Sequence, residues 1–157
     1  MRRKDYNEAS HILLELVKAK NLSFPIPLTP DSFTEAIHLS KIFILACYDP
    51  KQYFQYAVVS SALWQLSEEN KEYKYGWVDL DLYPNFFEHV KLEPAKNVPK
   101  SIIQMLRMET PPFIVIFVNG KVNLLLPCNL IILACKQCVY RRISLTIKEV
   151  KREVNSE

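Results

Sequence analysis

Two of the four cysteines form a C-x-x-C pair in the last quarter of the chain. Cys135 and Cys138 are separated by Lys136 and Gln137, and Cys128 lies a short distance upstream. This spacing can supply a dithiol that cycles to a disulfide, or thiolates that bind zinc. Structural zinc sites usually have two such pairs, whereas this sequence has one. We favour plain buried or surface thiols and keep a metal site and a redox pair as alternatives.

Other side chains that could do chemistry are scattered. Cys47 ends an apolar run and is expected to be a small core residue. Asp79 and Asp81 alternate and could act as paired carboxylates, although a structural role at a strand end is the expected one. Three histidines have no carboxylate or serine at motif spacing, so surface or capping roles are expected: His11, His38 and His89.

The composition excludes several classes of site. The chain has 157 residues and 18.4 kDa, which suits one domain with a proper core. Gly occurs only 2 times, so no glycine-rich phosphate loop can be written. The net charge of +3 is too small and too evenly spread to indicate a nucleic-acid partner. No apolar run reaches the roughly 18 residues of a membrane span.

The hydrophobic pattern predicts helices that alternate with buried strands. The apolar run 113–118 is the strongest strand signal, and Asn119-Gly120 after it is typical of a type I′ hairpin. The predicted strands cover residues 42–47, 75–81, 113–118 and 121–126. The predicted helices cover residues 6–20, 30–40, 51–70, 84–90, 99–108 and 143–154. This order predicts a three-layer α/β sandwich on a mixed sheet, with helices on both faces.

The first helix is predicted to be amphipathic. Its apolar stripe consists of Ala9, Ile12, Leu13, Leu16 and Val17. This stripe could pack on its own domain or dock on a partner, and the sequence leaves both open. The prolines in residues 24–27 indicate an extended linker after it. We therefore divide the chain into residues 1–26, the helix and linker, and residues 27–157, the main domain.

Four segments in series resemble thioredoxin and protein disulfide isomerase domains. Residues 28–37 are similar to the opening of those domains, and residues 42–47 to their first central strand. The segments 78–84 and 112–121 resemble their Val-Asp-x-Asp-x-x-Pro and Pro-Thr-Leu-x-x-Phe-x-Asn/Asp-Gly-Lys segments. The segment spacing is most similar to the thioredoxin-related transmembrane branch. The resemblance implies a thioredoxin-like fold, with an insertion at about 91–111 and an atypical C-terminal part.

The resemblance also places the family's active site, and the reactive residues are not there. The family's C-x-x-C begins the helix after the first central strand, where this chain has Pro50 and Tyr53. The family's buried carboxylate falls on Ile44 and its buried lysine on Trp77. The proline that faces the site falls on Pro112, which implies a cis peptide bond before it.

These matches predict a redox-inactive, thioredoxin-like structural or interaction subunit of a larger protein assembly. No catalytic residue, cofactor or metal is expected, and Pro50, Tyr53 and Pro112 are degenerate active-site positions. The alternatives are an unusual thiol oxidoreductase that uses Cys135 and Cys138, or a small zinc-binding module that includes Cys128.

The predicted partners are other protein subunits, contacted through the N-terminal helix and the 91–111 insertion. Association with a membrane complex is compatible with this prediction, but nucleic acid is not. Family resemblance indicates the endoplasmic reticulum, whereas the absence of a visible secretory signal argues against it. We expect an intracellular protein and prefer a mitochondrial location to a cytosolic or reticulum-associated one.

Overall fold

The computed structural model describes residues 3–128 and 136–156. The helices are α1 (Arg3–Lys20), α2 (Phe33–Ala36), α3 (Tyr53–Glu69), α4 (Ser101–Met108) and α5 (Lys136–Asn155). The strands are β1 (Ile26–Pro27), β2 (Ile42–Tyr48), β3 (Lys74–Asp79), β4 (Phe113–Val118) and β5 (Lys121–Pro127).

The described strands form one mixed sheet. Its order is β1-β3-β2-β4-β5. β3 runs parallel to β1 and β2, whereas β4 is antiparallel to both β2 and β5. Every residue of β2 and β4 is buried, as expected for central strands covered on both faces.

Helices cover both faces of this sheet, which confirms the predicted three-layer architecture. Alternate residues of β2 point to opposite faces. Ile44 and Ala46 pack with the apolar sides of α3 and α5. Phe43 and Leu45 pack on the other face with residues of α1, α2 and α4. The 91–111 insertion supplies α4, which buries Ile102 and Leu106 in that second layer.

The predicted hairpin joins β4 to β5. Asn119 and Gly120 have φ values of 52° and 76°, which fit the positive φ that a type I′ turn requires at both positions. A Cβ atom on Gly120 would lie 2.1 Å from Nε2 of His38. The positive φ of Gly120 disfavours any other residue there, and an added Cβ would also displace the exposed His38 ring.

The buried face of α1 differs from the predicted stripe. Tyr6, Ser10, Leu14 and Val17 are the buried residues of this helix. Ile12, by contrast, is 67% exposed. Leu14 and Val17 belong to the second core cluster, so the helix packs on its own domain. Tyr6 and Ser10 were missed because a tyrosine and a serine do not stand out in an apolar pattern.

The chain after α1 also departs from the prediction. Ile26 and Pro27 of the expected linker form β1, a short strand at the edge of the sheet, where a proline is tolerated. The helix predicted for residues 30–40 is shorter in the structure, where α2 begins at Phe33 and ends at Ala36. Residues 84–90 contain a 3-10 turn, Phe86–Glu88, where an α-helix was predicted.

The described helices include none that is both long and apolar enough to cross a bilayer.

Candidate functional site

The turn between β2 and α3 is the position where the resemblance places the active site. The carboxylate of Asp49 accepts the Lys51 N–H at 3.0 Å, and its carbonyl accepts the Gln52 N–H at 2.9 Å. The Gln52 side chain makes no capping hydrogen bond to the start of α3. The positive end of this helix could stabilise a thiolate. The residues that lead into this end of the helix, however, are Pro50, Lys51, Gln52 and Tyr53, and none contains sulfur.

Pro112 lies at the same end of the sheet as this turn. It immediately precedes β4, and the first residue of β4, Phe113, pairs with Cys47 of β2 next to the turn. The peptide bond between Pro111 and Pro112 is cis, as the resemblance implies. Pro112 is buried, whereas Tyr53 is 77% exposed.

Aromatic rings occupy the region where the family would place an acid–base pair. Ile44 is fully buried within β2. The Trp77 ring stacks on Tyr48, with ring centroids 5.3 Å apart, and meets Tyr6 edge-on at 5.6 Å. Tyr56 of α3 packs against Tyr48 with a centroid separation of 4.5 Å. This group, Tyr6, Tyr48, Tyr56 and Trp77, is called the aromatic cluster below.

The aromatic cluster does not supply a proton acceptor near neutral pH. Burial, helped by nearby phenols and by Asp79, raises the pKa of Tyr48 far above its usual value. Burial also raises the pKa of Tyr6, whose hydroxyl has no hydrogen-bond partner among the described residues. Tyr6 and Tyr48 therefore stay protonated, and their buried rings are suited to packing rather than to proton transfer.

The two aspartates of the 78–84 segment shape a turn, in agreement with the structural role expected for them. The Asp79 carboxylate accepts the N–H groups of Asp81 and Leu82, each at 2.9 Å. Asp81 forms an exposed ion pair with Lys51, with 2.9 Å between the nitrogen and oxygen. The Asp79 carboxylate thus binds the turn that follows β3, and the Asp81 carboxylate pairs with Lys51 in the turn that precedes α3.

Cys47 and Cys128 are buried thiols. Burial raises the pKa of Cys47 well above its usual value and that of Cys128 to about 12. The Cys128 N–H donates to the Pro112 carbonyl at 3.1 Å, so this cysteine, which follows β5, lies beside the cis proline. Its Sγ donates to the Leu126 carbonyl at 3.5 Å. Protonated and buried, both thiols are poor nucleophiles and poor metal ligands.

Thioredoxins are among the solved structures similar to this chain, each with a TM-score below 0.5. Thioredoxin f2 of Chlamydomonas reinhardtii has a TM-score of 0.46 and 12% identity, covering 66% of this chain and 82% of the other. The thioredoxin Mala s 13 of Malassezia sympodialis gives 0.45 and 13%, covering 64% and 76%. Mitochondrial thioredoxin 3 of Saccharomyces cerevisiae gives 0.42 and 14%, covering 69% and 85%.

The chain has a thioredoxin-like fold. At these identities the likeness bears on the fold alone. No protein-family model matches the sequence, and no curated protein matches it.

Cys138 and the three predicted histidines belong to elements other than the turn between β2 and α3. Cys135 falls outside the described residues, and Cys138 is half-buried on α5. Among residues 3–128 and 136–156, no three His, Cys, Asp or Glu side chains converge as metal ligands. The histidines His11, His38 and His89 are exposed, and Nδ1 of His38 lies 2.7 Å from the Thr34 carbonyl.

Sequence reasoning missed two members of the thioredoxin-like site region. Tyr6 reaches the aromatic cluster from α1, and nothing in its local spacing indicates that contact. Cys128 lies beside Pro112 because Pro127 of β5 pairs with Phe113 of β4. Pairing the residues of β4 and β5 outward from the Asn119-Gly120 turn would have placed Cys128 near Pro112, if the bulge at Ile116/Phe117 had been predicted.

Proposed function

We propose that this chain is a redox-inactive, thioredoxin-like subunit that serves as a structural or interaction component of a larger protein assembly. The observation that carries the proposal is the turn between β2 and α3. It offers an uncapped helix N-terminus at the end of the sheet where Pro112 lies, yet Pro50 and Tyr53 replace the two thiols. Thiol–disulfide exchange requires an attacking thiolate and a resolving thiol.

The surroundings of the turn support the same proposal. Ile44 and Trp77 stand where the resemblance implies a carboxylate and a lysine. An apolar residue and an indole can neither accept nor donate the proton that a thiol must lose. Cys47 and Cys128, both near this end of the sheet, have raised pKa values because they are buried. Loss of the thiols is therefore accompanied by loss of the groups that would assist them.

Exposed apolar side chains on the added segments support an interaction role. On α1, Ile12 is 67% exposed and Leu16 is 40% exposed, on the side that does not pack on the sheet. On α4, within the 91–111 insertion, Met105 is 56% exposed and Met108 is 73% exposed. Flexible methionines are common at protein-binding surfaces. We propose that these two surfaces contact the other subunits.

The experiment compares the native size of the protein in its source cells with that of the purified chain. We expect the cellular protein to elute as part of a much larger species, and the purified chain to elute near 18.4 kDa. In cells that carry the double variant Ile12→Glu/Met108→Glu, the protein should dissociate from the larger species and elute near the size of the purified chain. The matched control, His11→Glu/Ser101→Glu, makes the same change in net charge at exposed positions of the same two helices and should leave the larger species intact. Equal elution of cellular and purified protein would overturn the subunit role.

An intracellular, mitochondrial location is part of the proposal. Buried thiols such as Cys47 and Cys128 are common in proteins of reducing compartments, where disulfides are rare. Fractionation of source cells should recover the protein with mitochondria. Recovery in the reticulum or the cytosol would replace this location with one of the two alternatives.

A further inference from the structure

The outward face of α5 carries a narrow row of cations. The buried side of this helix consists of Val139, Ile143, Ile147, Val150 and Val154, which pack on the sheet and α3. Opposite it lie four exposed residues separated by four, three and four positions. Those spacings keep them on one side of a helix. This row is called the basic stripe: Arg141, Leu145, Lys148 and Arg152.

Within the part of the chain that the structure describes, the positive charge of the basic stripe is largely uncompensated. Glu149 lies 4.0 Å from Arg152, at side-chain exposures of 66% and 77%, where an ion pair is weak. Among the described residues, neither Arg141 nor Lys148 forms an ion pair. Arg142 adds a further exposed cation beside the stripe.

An apolar side chain stands at the centre of these cations. Leu145 is 55% exposed and lies between Arg141 and Lys148 on the stripe. Together with Arg142, Lys148, Glu149 and Arg152 it lines a shallow depression of about 450 Å³. A partner placed here would meet cations along its length and one apolar contact in the middle.

We propose that the basic stripe binds an acidic amphipathic helix of a partner protein. Arg141 and Arg152 are eleven positions apart, a rise of about 16 Å, so the stripe matches three turns of a facing helix. Carboxylates at intervals of three and four residues on that helix would face the cations, and an apolar residue between them would cover Leu145. The inference extends the proposed interaction role to a surface separate from α1 and α4.

The width of the stripe favours a helix over a broad anionic surface. Glu149 interrupts it on one flank, and Glu72 lies beside α5, paired with Lys151 at 2.8 Å. A membrane or a nucleic-acid duplex would bring its phosphates against these carboxylates as well as against the cations. A single helix can contact the row of cations and avoid both.

The test uses the full chain and a synthetic helical peptide that carries Glu at positions i, i+4 and i+7 with a central Leu. We expect saturable binding that weakens as salt is raised from about 50 to about 300 mM. The variant Arg141→Glu/Lys148→Glu/Arg152→Glu should bind about tenfold or more weakly. The matched control Lys96→Glu/Lys100→Glu/Lys121→Glu makes the same change in net charge and should bind within about twofold of the wild type.

Two further measurements keep the test decisive. If the triple reversal does not fold, Arg141→Gln/Lys148→Gln replaces it, with a loss of about threefold or more expected. Leu145→Ala should also weaken binding of the peptide. The loss should be smaller for a peptide in which Ala replaces the central Leu. Equal binding by stripe and control variants overturns the inference. So does stronger stripe-dependent binding to phosphatidylserine vesicles or to duplex RNA than to the peptide.

Failure here and failure of the proposed function are distinguishable. Loss of the peptide interaction would leave the larger native species and the absence of disulfide exchange unaffected. A redox-active chain, conversely, could still bind an acidic helix through α5.

Discussion

The Trp77 ring lies against the Tyr48 ring at a centroid distance of 5.3 Å and an interplanar angle of 20°. Tyr48 is the last residue of β2, immediately before the turn that holds Pro50 and Tyr53, and Trp77 lies on β3. The contact fills this region with aromatic carbon rather than with titratable groups. It explains how the sheet end is packed where an acid–base pair is implied by the resemblance.

Removing the Trp77 ring should destabilise the fold. The ring contacts both Tyr48 and Tyr6, so Trp77→Ala leaves a gap under the turn and at the α1 contact. We expect a loss of about 2–4 kcal/mol in the free energy of unfolding, measured with urea and circular dichroism. Trp64→Ala, at an exposed site on α3, is the control and should cost about 1 kcal/mol or less. Equal losses would show that the aromatic cluster contributes no special stability.

The buried thiols should make the protein less stable as the pH rises above about 8.5. The pKa of Cys128 is raised to about 12 in the folded state, so this thiol keeps its proton while the unfolded chain loses one. The unfolded state then binds fewer protons, and stability falls with rising pH. Cys128→Ala should reduce the fall between pH 7.5 and 9.5 by about 1 kcal/mol, measured by urea unfolding. An unchanged slope would contradict the burial of this thiol.

The same two thiols should resist alkylation. We expect Cys47 and Cys128 to react with iodoacetamide far more slowly in native protein than in urea, because the protonated buried thiol is not the nucleophile. Mass spectrometry of the digested protein identifies each cysteine. Rapid native labelling of either one would place it in a reactive environment.

The hairpin turn should depend on Gly120. Its φ of 76° disfavours side chains, and an added Cβ would meet the His38 ring at 2.1 Å. Gly120→Ala should cost about 2 kcal/mol or more. Introducing it into His38→Ala should cost less, because only the backbone conformation then opposes the methyl group. The four unfolding free energies form a double-mutant cycle, and additivity would mean that the ring contact has no effect.

Restoring thiols to the turn tests the helix end directly. In Pro50→Cys/Tyr53→Cys the second thiol would occupy the first residue of α3, at the uncapped helix N-terminus, which stabilises a thiolate. We expect its pKa to fall below about 8, whereas Ser156→Cys on the exposed C-terminal end should titrate near 8.5. Alkylation rate against pH gives both values. Equal pKa values would mean that this turn provides no stabilisation.

The fold was predictable because its strands carry strong local patterns. The apolar run of β4 and the Asn119-Gly120 turn specify the antiparallel pair, and the run of β2 specifies a strand covered on both faces. Ile26–Pro27 was not predicted as a strand, because a two-residue edge strand is defined by pairing with β3 rather than by its own pattern. Long-range pairing decides such elements.

The site was predictable only in part. Pro50, Tyr53 and Pro112 followed from the order of the segments, and the structure brings Pro112 and the turn to one end of the sheet. The contact of Tyr6 with Trp77 joins residues far apart in the chain, and its distance of 5.6 Å depends on how α1 lies on the sheet edge. No local periodicity contains that information.

The most direct test of the account is reduction of insulin disulfides by the full chain in the presence of dithiothreitol. The account predicts a rate equal to that of dithiothreitol alone, and the same rate for Cys138→Ser and for Pro50→Ala/Tyr53→Ala. Turnover that survives Pro50→Ala/Tyr53→Ala and disappears with Cys135→Ser would contradict it, and would assign the chemistry to the Cys135–Cys138 pair.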